Sequence, residues 1–145
     1  MRQFIYPALL VPDAEVGGFV VTFPDLPEAI TQGDDLSDAL HQAADCLEEA
    51  IVGRIRRHEP VPEASRVRSP QQAIPLPAQT AAKAALYLAV RQARLTESEV
   101  AERLNCGVED VHRLLDPRSA SKLGRLESAL AALGQHLVVG MKAVT

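Results

Sequence analysis

Among the carboxylates early in the chain stand Asp13, Glu15, Asp25, Asp34 and Asp35. Acids in that number could hold Mg²⁺ and hydrolyse a phosphodiester. That chemistry needs several carboxylates converging from rigid positions on metals about 4 Å apart. Their neighbours point elsewhere. Asp13 precedes Gly17-Gly18, Asp25 lies between Pro24 and Pro27, and Asp34-Asp35 follows Gly33. Acids in turns and at helix starts usually serve as solvated ends or caps. Cys46 and Cys106 form no CxxC and no Cys/His metal spacing, and each reads as a small buried hydrophobe. His41, His58 and His136 read as surface or terminal residues, and no Ser-His-Asp or Cys-His arrangement stands out by local spacing. The residues call for no catalytic group, metal or cofactor.

The segment Glu97–Leu115 carries a different chemistry. Thr96-Glu97-Ser98-Glu99 has the form of a capping box, with Thr96 as cap and Glu99 reaching back. Val100, Ala101 and Leu104 give the helix that follows an apolar face. Asn105-Cys106-Gly107 breaks it, and Val111, Leu114 and Leu115 define another helix ended before Pro117. Two short helices crossing steeply need a small residue at their approach, which Ala101 supplies. They also need a turn residue tolerant of a left-handed backbone, and Asn105 is the type most tolerant after glycine. The pattern is that of a helix-turn-helix.

In such a unit the second helix enters the DNA major groove with its early and outward residues against base edges. Those are Val108, Glu109, His112 and Arg113. Arg113 can bond guanine through two donors, and Glu109 can accept from cytosine. Arg118, Ser119, Ser121 and Lys122 in the next loop suit phosphate contacts that position the domain.

Other elements must hold these groups. Phe4–Val11 reads as a largely covered strand, with Pro7 arguing for an edge or a bulge. Gly17-Gly18 permits a turn into a second strand over Phe19–Phe23, and Pro24–Glu28 reads as a stiff loop. Ala29-Ile30-Thr31 makes a short third strand of a meander. Leu36, Leu40, Ala43, Leu47, Ala50 and Ile51 recur at helical spacing. Asp34, Asp35 and Asp38 at that helix's start, with Arg54, Arg56, Arg57 and His58 at its end, complement its dipole. Residues 59–79 read as connecting structure, with a short strand near Ala73-Ile74-Pro75-Leu76. A helix with Ala82, Leu86, Ala89 and Ala93 on one face precedes the helix-turn-helix. Another turns Leu123, Leu126, Leu130 and Leu133 inward and stops at Gly134. Leu137-Val138-Val139 can make a final strand.

The fold class is therefore α+β: residues 1–79 form a sheet-plus-helix domain, and residues 80–145 an all-α helix-turn-helix domain. Their charges differ. Residues 1–79 carry six Lys/Arg against twelve Asp/Glu, a net −6, while residues 80–145 carry nine against seven, a net +2. An acidic half joined to a mildly basic one suggests surfaces for different partners. No apolar run reaches the ~18 residues of a membrane helix, and Met1-Arg2-Gln3-Phe4 lacks a signal-peptide layout. The chain reads as cytoplasmic.

The run Gly18-Phe19-Val20-Val21, Phe23-Pro24-Asp25-Leu26-Pro27 and Thr31-Gln32-Gly33-Asp34, followed by an Ala/Leu-rich helix, resembles the HicB family of antitoxins. Residues Leu104–Leu133, with Leu114-Leu115-Asp116-Pro117-Arg118 and Lys122-Leu123, look like the lambda-repressor-type DNA-binding domain that many members carry. Glu28 stands where the family commonly has glycine. The resemblance implies a partial ribonuclease-H-like N-terminal domain and a small HicA-type toxin partner that cleaves mRNA. It also implies repression of the chain's own operon through operator DNA. On that reading the toxin meets Phe19, Asp25, Leu26, Glu28, Asp34 and Asp38, and a homodimer or higher even oligomer reads the operator. Two other readings stay open: a repressor sensing a small ligand through its N-terminal domain, and a metal-dependent nuclease.

Overall fold

Gly17 and Gly18 have positive φ, 78° and 74°, and the turn they allow sends β1 (Ile5–Pro12) back as β2 (Phe19–Phe23). A Cβ at Gly18 would collide with the Gly33 carbonyl oxygen, so backbone conformation and space both demand glycine there. The computed structural model describes residues 1–144. By contact the chain divides into Met1–Ala81 and Ala82–Thr145.

In the first unit, Pro24-Asp25 turns β2 into β3 (Leu26–Gly33). This strand is longer than the sequence suggests, and Glu28 lies within it rather than in a loop. A register shift at Thr22/Phe23 accommodates the change of direction. The sheet order is β3-β2-β1-β4, with all three pairings antiparallel. Pro27 is tolerated because β3 is an edge, where a missing N–H need not cost a ladder bond. β1 is shared lengthwise. Leu9–Pro12 pairs with β2, and Ile5–Ala8 pairs with β4 (Gln72–Pro75). Pro7 lies where β1 has a neighbour on one side only.

Helix α1 (Leu36–Arg56) starts at Asp35, whose Oδ1 accepts from the Asp38 amide at 2.8 Å. It packs on one sheet face, bringing Ala39, Ala43, Leu47, Ile51, Val52 and Ile55 over the buried Tyr6, Ala8, Val21, Phe23, Leu26 and Ala29. The buried stripe is rotated from the expected one: Leu36 is 50% exposed, and Ala39 takes its place. Gly33 explains the rotation, because a Cβ there would run into the Ala39 backbone. That close approach seats the helix on its alanines. On the sheet's other face Leu9, Val11, Val20, Thr22 and Ile30 are cross-strand neighbours, and Val11 and Ile30 are exposed.

The second unit holds most of α2 (Ala78–Ala93), then α3 (Glu97–Leu104), α4 (Val108–Leu115) and α5 (Leu123–Ala132). Their core is Ala82, Leu86, Ala89, Val90, Val100, Ala101, Val111, Leu114, Leu126, Ala129 and Leu130. Leu123, expected inward, is 49% exposed at the first position of α5, and Ala129 fills the interior instead. The expected strand over Leu137-Val138-Val139 does not form. Residues 135–144 have no regular structure.

Candidate functional site

The acids of the first unit are mostly engaged within the chain. Asp13 Oδ1 accepts from the Glu15 and Val16 amides at 3.0 and 3.3 Å, organising the β1–β2 turn. Asp25 accepts from the Ser65 amide at 2.8 Å and from the Ser65 hydroxyl, pinning the proline-rich segment after α1. Tyr6 helps by donating to the Pro62 carbonyl at 2.7 Å, and burial raises its phenol above the ordinary range. Asp38 Oδ2 accepts from the Asp34 amide at 2.8 Å. Among the described residues, no group of three or more His, Cys, Asp or Glu could hold a metal ion.

Glu28 forms a two-point bridge to Arg54, with Nε and Nη2 donating at 2.6 and 2.9 Å. The Arg54 hydrogen bond holds the Glu28 carboxyl below its usual range. Of the six residues singled out for toxin contact, Asp25, Glu28 and Asp38 thus have internal partners. Leu26 is fully buried and belongs to the core, because its side chain points under α1. Phe19 is half-buried, and Asp34 is exposed.

In the second unit the helical corner has the stereochemistry its sequence requires. Thr96 and Glu99 bond each other's amides, both at 3.2 Å. Asn105 adopts φ 53°, ψ 51°, and its side chain tolerates the left-handed region better than most. Gly107 donates its amide to Asp110 Oδ2 at 3.2 Å, starting α4.

Val108, Glu109, His112 and Arg113 are all exposed on α4. Arg113 Nη2 donates to Asp110 Oδ1 at 2.8 Å, one turn earlier. That bond holds the Asp110 carboxyl low, helped by the Gly107 amide. His112 Nδ1 lies 3.5 Å from Glu97 Oε1 at the start of α3. A shallow groove is lined by Asp110, Arg113, Leu114, Ser119, Ala120, Ser121 and Arg125. It brings Arg113 together with two of the four loop residues singled out in the sequence. Arg118 and Lys122 are exposed nearby in the chain.

Two basic residues had not been singled out. Arg125 lies on the groove and is exposed; its spacing of three from Lys122, across the start of a helix, was a usable signal. Lys83 is fully buried on α2. Its Nζ donates to the Arg113 carbonyl at 2.8 Å, the Asp116 carbonyl at 2.9 Å and the Ser121 hydroxyl at 2.9 Å. Burial lowers the affinity of this ammonium for its proton, and the Asp116 charge opposes that in part.

A family model described as the HicB-like antitoxin of bacterial toxin–antitoxin systems matches residues 5–85, more than half of the chain. Antitoxin HicB of Escherichia coli strain K12 is 34% identical over 136 residues, covering 94% of this chain and 98% of that relative. Antitoxin HicB 1 of Photorhabdus laumondii is 33% identical over 142 residues, covering 98% and 90%. Antitoxin HicB of Pseudomonas fluorescens is 32% identical over 131 residues, covering 89% of each. These matches take in the Gly18 and Gly33 positions, where the backbone leaves no room for a side chain. The chain belongs to the HicB-like antitoxin family of bacterial toxin–antitoxin systems.

Proposed function

We propose that the chain neutralises a HicA-type mRNA-cleaving toxin by binding it directly, and represses its own operon by binding operator DNA. The observation that carries the DNA half is the corner at Asn105, from which α4 leaves with Val108, Glu109, His112 and Arg113 exposed. Arg113 and Glu109 read base edges, and Ser119, Lys122, Arg118 and Arg125 meet phosphates. In the free chain Arg113 is held by Asp110, so a guanine competes for a guanidinium that is already oriented.

The toxin half rests on family membership and on charge. A protein that holds RNA must be basic, and residues 1–79 carry a net −6. Asp34 and Phe19 contribute directly. The apolar centre assigned to Leu26 passes to exposed groups of the open sheet face, Val11 and Ile30. Tight operator binding uses a dimer, because one small domain contacts one half-site and two recognition helices must stand about 34 Å apart.

The test is a pair of measurements on the full chain: co-purification with the toxin, and a gel shift on the upstream operator duplex. Capture of the toxin and a shift suppressed in Arg113→Ala support the proposal. Failure of both would sink it.

A further inference from the structure

The helix proposed to read DNA is eight residues long, and the Asp116 amide closes its end by donating to the His112 and Arg113 carbonyls at 3.0 and 3.3 Å. A buried ammonium adds a second donor there. Lys83 donates to the carbonyl of Arg113, to that of Asp116 and to the hydroxyl of Ser121, residues 30, 33 and 38 positions away in sequence. An ammonium has three donors, and here all three are used. A cation at the C-terminal end of α4 also meets the negative end of its dipole.

We propose that Lys83 is a positioning residue for DNA recognition: from inside the domain it fixes the end of α4 and the 116–122 loop as one unit. It touches no nucleic acid. It bonds the backbone of Arg113, which carries the base-reading side chain, and the hydroxyl of Ser121 beside the groove. A shift of about an ångström at these points would misalign bidentate contacts, whereas nonspecific phosphate attraction tolerates it. This inference rests on the operator-binding reading above.

The experiment uses the full chain as wild type, Lys83→Met and Lys83→Gln, each binding operator and scrambled duplexes, with toxin capture measured in parallel. Lys83→Met removes the one group that ties the Arg113 and Asp116 carbonyls to the Ser121 hydroxyl. Its operator affinity should fall about tenfold while its scrambled-duplex affinity changes little. Lys83→Gln keeps two donors and should recover part of the loss. Toxin capture should stay at the wild-type level, and hydrogen exchange at residues 113–122 should rise in Lys83→Met. If Lys83→Met proves unfolded, the Gln variant decides: wild-type operator selectivity with unchanged exchange overturns the proposal. Equal losses on both duplexes for a folded variant overturn it too. No operator binding by the wild type would mean that the DNA reading itself has failed, an outcome distinct from these.

Discussion

Glu28 shows how a single charged side chain on an edge strand acquires a physical role. Its carboxylate is bridged twice to Arg54. The carboxyl is held below its ordinary 4.5, so the bridge contributes stability above that pH and loses it as pH falls through the lowered value. Glu28 is 38% exposed, and solvent screening limits the contribution to under about 1 kcal/mol. Glu28→Gln should therefore melt slightly lower than wild type at pH 7, and the thermal melts should converge as pH falls well below 4.5. A gap that persists at acid pH would mean that packing, not charge, is involved. Arg113 and Lys122 are distinguished in the same way. Arg113→Ala should relax preference at one base pair by roughly 1–3 kcal/mol. Lys122→Ala should weaken all duplexes alike and lower the salt slope by about one. Binding over a salt series on operator and scrambled duplexes separates them. The exposed members of this set were legible because helical periodicity assigns a face. Lys83 was not. It stands in an alanine-rich run, and its partners lie at least 30 positions away, a juxtaposition that no local spacing encodes.

The elements repeat one device. Helices α1, α2, α3 and α5 are each followed by a left-handed residue, His58, Arg94, Asn105 and Gly134. Each is closed by backbone bonds such as Glu59 to Arg54, Leu95 to Val90, Cys106 to Ala101 and Gln135 to Leu130. Three of the four stops lack the residue that suits them best. Arg94→Gly should thus raise stability by roughly 0.5–1 kcal/mol, the left-handed penalty less the added entropy of the unfolded chain. Chemical denaturation measures this, and a destabilised variant would show that the Arg94 side chain contributes more than its backbone costs. Gly134 and Asn105 announced themselves in the sequence, whereas His58 and Arg94 did not, because neither residue type is a turn signal. The length of β3 was hidden for a related reason. Pro27 reads as a strand breaker unless the strand is known to be an edge, and edge position follows from the sheet order. Leu137–Val144 is the complementary case, with strand-forming residues and no strand. Removing residues 137–144 should leave toxin capture intact and weaken both dimerisation and operator binding. A truncated chain that still dimerises and shifts the operator normally would place the dimer contact elsewhere.

For the whole molecule, charge and fold divide at nearly the same place. The acidic residues 1–79 hold the sheet and α1, and the mildly basic remainder holds the helical corner. The α+β class and the order of the elements were readable because each half has its own periodicity, two in the strands and three to four in the helices. The surface proposed to face the toxin was less so. Burial and internal bonding redistribute its expected residues: Leu26 goes to the core, Asp25 to Ser65 and Glu28 to Arg54. Such assignments depend on tertiary neighbours, which composition does not contain. The central claim, that this chain silences a HicA-type toxin by direct binding, can be put to one measurement. A purified HicA-type toxin is set to cleave a fluorogenic RNA, and the full chain is titrated into the reaction. Cleavage should fall in proportion to the chain added and stop near a stoichiometric ratio; cleavage that continues unchanged at a large excess of the chain would contradict the account.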